Sequence, residues 1–359
     1  MPELPEVETI ARDLAAAVVG ATVSAVWGSG LGLHLGRAVD LGGVRRVTAG
    51  RRIRAVRRKG KYLLFDFEPG AGVVVHLGMS GRLRVEPATA PRAVHTHVAL
   101  AFDDGRELRF VDPRRFGWVA PGTPLEARPE LVALGPDPLT ELDAGELARL
   151  MTGARAPIKA FLLDQTRIAG LGNIYVSEAL HRARIHPASP AGRLPAQAPA
   201  LLAAIRAALE QGIRNRGTTL RDYVDASGTP GNNAAALLVY GRAGEPCPTC
   251  GAPIRRSVDS GRATYFCAAC QRRQPAGRSM ARRRGPTVAP QAEGAAKTVA
   301  NRGRTARTIT KKANMAANRP TSATPASTRR SRPAPASGRA KAPRRSGGPG
   351  RQPRRKALP

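Results

Sequence analysis

The sequence predicts an α+β protein of several domains, with an N-terminal helix, a β-rich part, a helical part, a cysteine module and a disordered basic tail. Hydrophobic residues follow helical spacing at the start, then short β-like runs, then helical spacing again. The four cysteines are confined to residues 247–270, and residues 275–359 contain no aromatic side chain. The 359 residues accommodate two or three domains of about 100–200 residues each.

The first element is an amphipathic helix over residues 6–19. Val7, Ile10, Leu14 and Val18 recur at helical spacing, so they form one apolar stripe that can face a core.

Residues 21–120 form the β-rich part. Gly, Pro and Asp-Gly pairs separate its runs, and many short strands with such turns are typical of a sandwich or a barrel. The predicted strands lie in 21–26, 51–67, 72–78, 97–102 and 107–111. Residues 121–139 are rich in proline and are predicted to be a linker.

Helical spacing returns between residues 140 and 215, and a loop rich in Gly, Asn and Thr follows at 216–236. We place domain boundaries at 1–130, 131–236, 237–273 and 274–359. The predicted helices cover 141–151, 156–165, 173–183 and 199–215.

The cysteine module predicts a structural zinc site. Cys247 and Cys250 form one CxxC pair, Cys267 and Cys270 form another, and 16 residues separate the pairs. At this spacing four thiolates converge on one Zn²⁺ from the turns of a β-hairpin and leave no open coordination position. Two disulfides or free thiols are the alternative, which an intracellular compartment disfavours. Arg262 lies between the pairs, either as a solvated arginine or as a phosphate clamp.

The charge predicts a nucleic-acid partner. Lys and Arg number 58 against 26 acids, and such an excess is typical of proteins that bind a polyanion. Residues 275–359 hold 22 of these bases and one acid, and the rest of the chain remains basic. The tail is too poor in apolar residues to fold, so it is predicted to be disordered. No signal peptide is recognisable and no apolar run approaches the length of a membrane span, about 18 residues.

Pro2 has a special chemical consequence. Removal of Met1 would leave a secondary amine with a pKa near 8, so that a useful fraction is neutral and nucleophilic. Such an amine condenses with an aldehyde-level carbon to give an iminium. A proline that merely begins a helix is the alternative interpretation.

Seven ordered stretches resemble the formamidopyrimidine-DNA glycosylase family over residues 1–273. They are the N-terminal Met1-Pro-Glu-Leu-Pro-Glu-Val-Glu-Thr9, Arg58-Lys-Gly-Lys61-Tyr-Leu-Leu, His76-Leu-Gly-Met79-Ser-Gly, Asp112-Pro-Arg-Arg-Phe116-Gly, Gly170-Leu-Gly-Asn173-Ile-Tyr, Tyr240-Gly-Arg-Ala-Gly-Glu-Pro-Cys247 and the cysteine pairs. The resemblance implies an N-terminal helix with a two-layer β-sandwich, a helix-two-turn-helix domain and a zinc finger.

The resemblance also implies a reaction. Pro2 attacks C1′ of a damaged nucleotide, the base leaves, and β- and δ-elimination nick the strand. Glu3 matches the family's general acid/base. Lys61 matches a lysine of β-elimination and phosphate binding, and Arg262 an arginine of δ-elimination and phosphate binding. The alternative interpretation of Glu3 is an acid in the first turn of a helix. The alternative for Lys61 and Arg262 is a solvated surface side chain.

Further residues are implied to contact DNA. Base extrusion leaves a gap, and Met79, Arg114 and Phe116 match the side chains that fill it. The resemblance implies contacts between DNA and a further set: His76, His95, Arg155, Lys159 and Asn173. His95 and His97 are two residues apart, so both side chains are predicted to lie on one side of a strand. Such a histidine pair is only a weak indication of a metal site.

The loop 217–236 matches the family's lesion-capping loop. Its backbone amides at Leu220, Arg221, Asp222 and Tyr223 match contacts to the oxidised purine. After Pro230-Gly231, however, the chain has Asn232-Asn233 where family members commonly carry bulky residues, so the lesion spectrum stays open. The basic tail has no counterpart in the usual family architecture.

Three functions remain open at this stage. The first is a glycosylase/AP lyase for 8-oxoguanine and formamidopyrimidines, acting as a monomer on double-stranded DNA with oxidised bases or abasic sites. The second is an endonuclease VIII-like enzyme for oxidised pyrimidines, which Leu4 disfavours because that group usually has Gly there. The third is a non-catalytic damage-binding or DNA-compacting protein. A cytoplasmic, nucleoid-associated bacterial protein is expected.

Overall fold

The computed structural model describes residues 1–273 apart from 35, 69 and 260. The predicted disordered tail lies outside the described residues. Among the described residues, no helix has both the length and the apolar character needed to cross a bilayer.

The predicted N-terminal helix is confirmed as α1 (Leu4–Val18), which begins two residues earlier than predicted. Pro5 stands in the first turn, where a missing backbone N–H costs no helical hydrogen bond. The predicted stripe is buried in the core.

The β-rich part is a sandwich of two four-stranded antiparallel sheets. One sheet has the order β1-β6-β7-β5 and the other β2-β3-β4-β8. The strands are β1 (Val23–Gly28), β2 (Ala55–Lys59), β3 (Tyr62–Glu68), β4 (Ala71–His76), β5 (Arg82–Pro87), β6 (Thr96–Phe102), β7 (Arg106–Val111) and β8 (Trp118–Gly122).

Three elements of this part were not predicted. They are β5, β8 and the helix α2 (Leu41–Thr48). The burial of β5 and β8 is irregular, so their apolar residues do not alternate clearly. In α2 a Gly-Gly pair interrupts the pattern, although Asp40 caps the helix by accepting from the N–H of Gly43 at 2.7 Å.

The predicted linker 121–139 is packed rather than free. It contains a short helix, α3 (Pro129–Val132). Leu125 and Leu131 are fully buried against Leu64 and Val74 of the second sheet. The proline-rich composition predicted only a connecting segment. Its leucines instead pack this segment onto the sandwich and so join the sandwich to the helical part.

The four predicted helices are all present in the helical part; the first three are shorter than predicted, and the last has the predicted length but lies one residue earlier. They are α4 (Ala144–Met151), α5 (Ile158–Leu163), α6 (Asn173–Arg182) and α7 (Ala198–Arg214), with 3₁₀ turns at Ala191–Arg193, Pro195–Gln197 and Asn233–Ala236. Leu4 joins their core, so α1 contributes to both parts of the fold.

The cysteine module forms a β-hairpin of β9 (Ile254–Asp259) and β10 (Arg262–Cys267). Glu178 of α6 holds the segment that enters it, because its carboxylate accepts the backbone N–H groups of residues 238–240 at 2.8–3.0 Å. Fully buried Gln271 donates to the carbonyl of Ile185 at 2.8 Å. The hairpin is thus fixed to the helical part at both ends.

Candidate active site

The site is centred on Glu3, whose side chain is buried at the start of α6. Its carboxylate accepts the backbone N–H groups of Ile174 at 3.0 Å and Tyr175 at 3.3 Å. The first N–H groups of a helix have no partner within the helix and favour a negative charge. Burial nevertheless raises the pKa of Glu3, against the opposing effect of nearby Lys61. A proton-exchanging carboxyl group results.

The motif Gly170-Leu-Gly-Asn173 makes room for this arrangement. The N–H of Leu4 donates to the carbonyl of Gly170 at 3.1 Å. A Cβ on residue 172 would lie 2.1 Å from Cδ of Glu3. Glycine at 172 therefore admits the acid to the helix start.

Lys61 faces Glu3 from the turn between β2 and β3. Its side chain is buried, and burial lowers the pKa of its amine, which the charge of Arg262 lowers further. Arg58 fixes this hairpin, because it contacts Glu8 at 2.8 Å, Asp137 at 2.6 Å and the carbonyl of Gly60 at 3.3 Å. Sequence analysis did not assign Arg58 a role, although it begins the Lys61 motif.

Glu6 is a second buried acid that sequence analysis missed. It accepts the hydroxyl of Tyr175 and the N–H of Thr218, both at 2.7 Å, and the N–H of Glu3 at 2.9 Å. Burial, with the charge of Glu3, raises the pKa of Glu6 to about 7. The sequence does indicate this pairing, because Glu6 is a second acid one helical turn after Glu3.

Pro2 is buried beside these groups, and Met1 is exposed. A cleft of about 440 Å³ adjoins them. Its walls include seven residues of the predicted site, namely Glu3, Lys61, His76, Met79, Asn173, Leu220 and Arg262. Removal of Met1 would place the secondary amine at this cleft.

His76 ends β4 within an aromatic group, with its ring centroid 5.0 Å from Tyr62 and 6.3 Å from Trp118. Burial lowers the pKa of His76 to about 4, so the ring is neutral at physiological pH. Its Nδ1 accepts the N–H of Gly78 at 3.2 Å. The proton therefore lies on Nε2, which can donate to a phosphate oxygen.

Met79, Arg114 and Phe116 lie on two neighbouring loops and are exposed. The Arg114 guanidinium lies 4.8 Å from the centre of the Phe116 ring. Fully buried Asp112 organises their loop, since its carboxylate accepts from the hydroxyl of Ser80 at 2.6 Å and the N–H of Gly117 at 2.8 Å.

The prediction that His95 and His97 share one side of a strand is wrong. His95 precedes β6 in a turn with φ +71° and is exposed. His97 is buried; it donates from Nε2 to the carbonyl of Asp112 at 3.0 Å and contacts the Ser29 hydroxyl at 3.2 Å. A local break before the strand separates the two rings.

Three predicted phosphate contacts differ in their surroundings. Arg155 is exposed. Asn173 donates from Nδ2 to the carbonyl of Ala263 at 2.9 Å. Lys159 is buried and donates to the same carbonyl at 2.9 Å and to the Thr264 hydroxyl at 2.6 Å. Asn173 and Lys159 thus hold the strand that begins at Arg262.

Burial lowers the pKa of Lys159 to about 8. Arg262 itself is exposed and lines the same cleft as Lys61. The structure therefore brings Arg262 to the catalytic cleft and turns Lys159 toward protein groups.

The predicted loop residues divide into two groups. Leu220, Arg221 and Asp222 are exposed. Tyr223 is packed against the sandwich core and donates its hydroxyl to the carbonyl of Arg216 at 3.0 Å. Tyr223 therefore anchors one arm of the loop.

The four cysteines form the zinc centre. The Sγ atoms of Cys247 and Cys270 are 3.9 Å apart, those of Cys250 and Cys267 are 3.5 Å apart, and all four lie within 4.8 Å of one another. Zn–S bonds of about 2.3 Å in a tetrahedron require separations of this size. His181, which sequence analysis missed, contacts Cys247 Sγ at 3.4 Å. The zinc is structural, and it fixes the hairpin that carries Arg262.

Three family models match the chain. The formamidopyrimidine-DNA glycosylase N-terminal domain matches residues 1–119, and the H2TH domain of the same enzymes matches 134–224. The zinc finger found in FPG and IleRS matches residues 244–273.

Curated relatives and solved structures agree with these matches. Formamidopyrimidine-DNA glycosylases of Methylococcus capsulatus and Xanthomonas oryzae pv. oryzae are 47% and 44% identical to this chain; each match covers 76% of this chain and 100% of the relative. The MutM (Fpg) structure from Thermus thermophilus is 42% identical, with a TM-score of 0.67.

A Lactococcus lactis FPG mutant bound to Fapy-dG DNA is 33% identical, with a TM-score of 0.70. Both structural matches cover 76% of this chain and 100% of the other. The chain belongs to the formamidopyrimidine-DNA glycosylase family.

Proposed function

We propose that this protein is a base-excision repair glycosylase and AP lyase for oxidised purines in double-stranded DNA. One observation carries the proposal: the first residues of the chain lie at a cleft that also contains buried Glu3 and Lys61. An amine nucleophile, a proton-exchanging acid and a cation for phosphate are thereby within one cavity. A protein that only binds DNA has no need of this arrangement.

The reaction begins after Met1 is removed. The Pro2 nitrogen attacks C1′ of the extruded nucleotide, the N-glycosidic bond breaks, and the base leaves with the bonding electrons and takes up a proton. The sugar ring opens to an iminium on Pro2. Glu3 is suited to move protons at the sugar, since burial raises its pKa above the usual value of a glutamate.

Strand cleavage follows from the iminium. Loss of a C2′ proton and departure of the 3′ phosphate constitute β-elimination, and loss of the C4′ proton with departure of the 5′ phosphate constitutes δ-elimination. Lys61 and Arg262, which both line the cleft, are proposed to bind these phosphates. Neutral His76 donates from Nε2, and Asn173 contributes from the start of α6.

Extrusion of the base is assigned to the exposed loops. Met79 and Phe116 fill the gap, and Arg114 hydrogen-bonds the unpaired partner base. His95 and Arg155, both exposed, contact the backbone of the flanking duplex. Leu220, Arg221, Asp222 and Tyr223 supply the backbone of the lesion-capping loop.

Borohydride trapping tests the nucleophile. Wild-type protein mixed with an 8-oxoguanine duplex is expected to form a covalent adduct, and Pro2→Gly is expected to lose most of it. A variant with Gly-Ser inserted before Pro2 keeps the proline ring and blocks its nitrogen, so it serves as the sharper comparison. Equal trapping by the blocked variant, or Met1 retained in the active protein by mass spectrometry, contradicts the proposal.

A panel of duplexes separates oxidised purines from oxidised pyrimidines. We expect faster excision of 8-oxoguanine and formamidopyrimidines than of oxidised pyrimidines, because similar solved structures hold DNA with Fapy-dG or with carbocyclic 8-oxo-G. The reverse order would assign the endonuclease VIII-like function instead.

We further propose domain boundaries at 1–130, 131–236, 237–273 and 274–359, with a cytoplasmic, nucleoid-associated location. The basic residues beyond 274 would tether the enzyme to DNA through counterion release. DNA affinity of the full chain and of residues 1–274 should therefore differ in salt dependence. Identical slopes would remove the tether from the proposal.

A further inference from the structure

Asn233 occupies a buried polar position at the base of the loop 217–231. Its Nδ2 donates to Oγ1 of Thr218 at 2.8 Å. Its Oδ1 accepts from Nδ2 of Asn215 at 3.0 Å and from Nε2 of Gln211 at 3.2 Å. The side chain is 1% exposed, so a substitution there leaves these polar groups unpaired.

The two arms of the loop touch at this point. The N–H of Asn232 donates to the carbonyl of Asn215 at 2.9 Å, and that of Asn233 to the carbonyl of Gly217 at 3.0 Å. A Cβ on Gly231 would lie 2.3 Å from the Gly217 oxygen. Asn233 therefore fixes the register in which the arms meet.

A directed series of hydrogen bonds connects this base to the catalytic acid. The Tyr175 hydroxyl donates to Glu6 at 2.7 Å, so the Thr218 hydroxyl donates to Tyr175 at 3.0 Å. Thr218 can then accept from Asn233. Glu6 in turn accepts the N–H of Glu3 at 2.9 Å. Asn233, Thr218, Tyr175 and Glu6 thus form one network from the loop to the cleft.

We propose that Asn233 is a positioning residue that holds the loop 217–231 over the cleft and favours base-bearing over abasic substrates. The inference rests on the proposed function. Leu220 of this loop lines the cleft together with Glu3, where an extruded base would be covered. An abasic nucleotide presents no base to cover, so its cleavage depends on Pro2 and Lys61 and not on the loop.

Single-turnover rates on two duplexes test the proposal. One carries 8-oxoguanine opposite cytosine and the other an abasic site opposite cytosine. Asn233→Ala is expected to slow 8-oxoguanine excision by about tenfold and abasic cleavage by less than about twofold, the size of effect given by unpaired buried groups. The neighbour Asn232 is exposed, and Asn232→Ala, the matched control, should change neither rate.

Thr218→Val provides a second variant, since it removes the hydroxyl and keeps the N–H that Glu6 accepts. It should show the same selective loss, and the double variant should lose no more than either single variant. The melting transition and the zinc content show whether Asn233→Ala folds. If it does not fold, the two rates of Thr218→Val test the proposal.

Equal losses on both duplexes, or an unchanged ratio of the two rates, overturn the role of Asn233. A wild-type protein that is inactive on both duplexes instead overturns the proposed function, and this inference with it.

Discussion

The side chain of Glu3 occupies the space that a side chain on residue 172 would need. Cδ of Glu3 would lie 2.1 Å from a Cβ at Gly172. Glycine 172 has φ −134°, a backbone conformation that alanine adopts without strain. Position 172 therefore requires glycine because a larger residue would take the space of the catalytic carboxyl group.

Gly172→Ala is expected to displace Glu3 and to lower the excision rate by about a hundredfold or more, the scale of general acid–base catalysis. Single-turnover excision of 8-oxoguanine measures the effect. Gly42→Ala is the control, because residue 42 is exposed in α2 and a Cβ there meets nothing closer than 3.6 Å. A Gly172→Ala enzyme with full activity would contradict this account of Glu3.

Glu6 makes stability depend on pH. Its pKa rises from 4.5 to about 7 on folding, so the unfolded chain releases its proton first as the pH increases. The contribution of Glu6 is complete below pH 4.5 and is lost as the pH rises through 7.

As the pH rises from below 4.5 to above 7, wild-type protein should lose roughly 2–4 kcal/mol of unfolding free energy relative to Glu6→Gln. Urea unfolding of both proteins at several pH values measures the difference. A difference between the two proteins that stays constant with pH would refute the assignment.

Lys159 and Arg155 should differ in the salt dependence of DNA binding. Removing one phosphate contact lowers the slope of log K against log salt by about one. Arg155→Ala should do so because Arg155 is exposed. Lys159→Met should leave the slope unchanged, because the amine is engaged with Ala263 and Thr264.

Lys159→Met should instead alter the ratio of δ- to β-elimination products, since Lys159 holds the strand of Arg262. Gel analysis of cleaved abasic DNA gives this ratio, and Lys159→Arg should restore part of it. A reduced salt slope for Lys159→Met with an unchanged product ratio would identify Lys159 as a phosphate ligand.

Asp112→Asn should misplace the loop that carries Arg114 and Phe116. The amide cannot accept from both the Ser80 hydroxyl and the Gly117 N–H as the carboxylate does, which leaves a buried donor unpaired at a cost of about 1–3 kcal/mol. Base extrusion should slow by about tenfold, on the scale of that cost.

Stopped-flow fluorescence of 2-aminopurine beside the lesion measures extrusion in the Asp112→Asn enzyme. Asp103→Asn is the control, since Asp103 is exposed at the other end of β6. Normal extrusion by Asp112→Asn would show that the carboxylate does not position the loop.

Several features could be predicted from the sequence because they depend on local spacing. In α1 and in α4 to α7, apolar residues recur at the spacing of a helix. The cysteines recur at the spacing that zinc coordination requires. The catalytic candidates Glu3 and Lys61 were found through family-like motifs. Strands β5 and β8 were missed because their apolar residues do not alternate clearly, and helix α2 because a Gly-Gly pair interrupts its pattern.

The sequence by itself determined the order of the helical, β-rich and cysteine-containing parts, the zinc ligands and the chemical groups available at the site. Only the tertiary structure decided which polar groups are buried together, because burial and hydrogen-bond partners depend on residues far apart in the chain. Glu6 meets Thr218 across 212 positions, and Lys159 meets Thr264 across 105. Burial by such distant residues raises the pKa of Glu6 and lowers that of Lys159, and no local pattern encodes it.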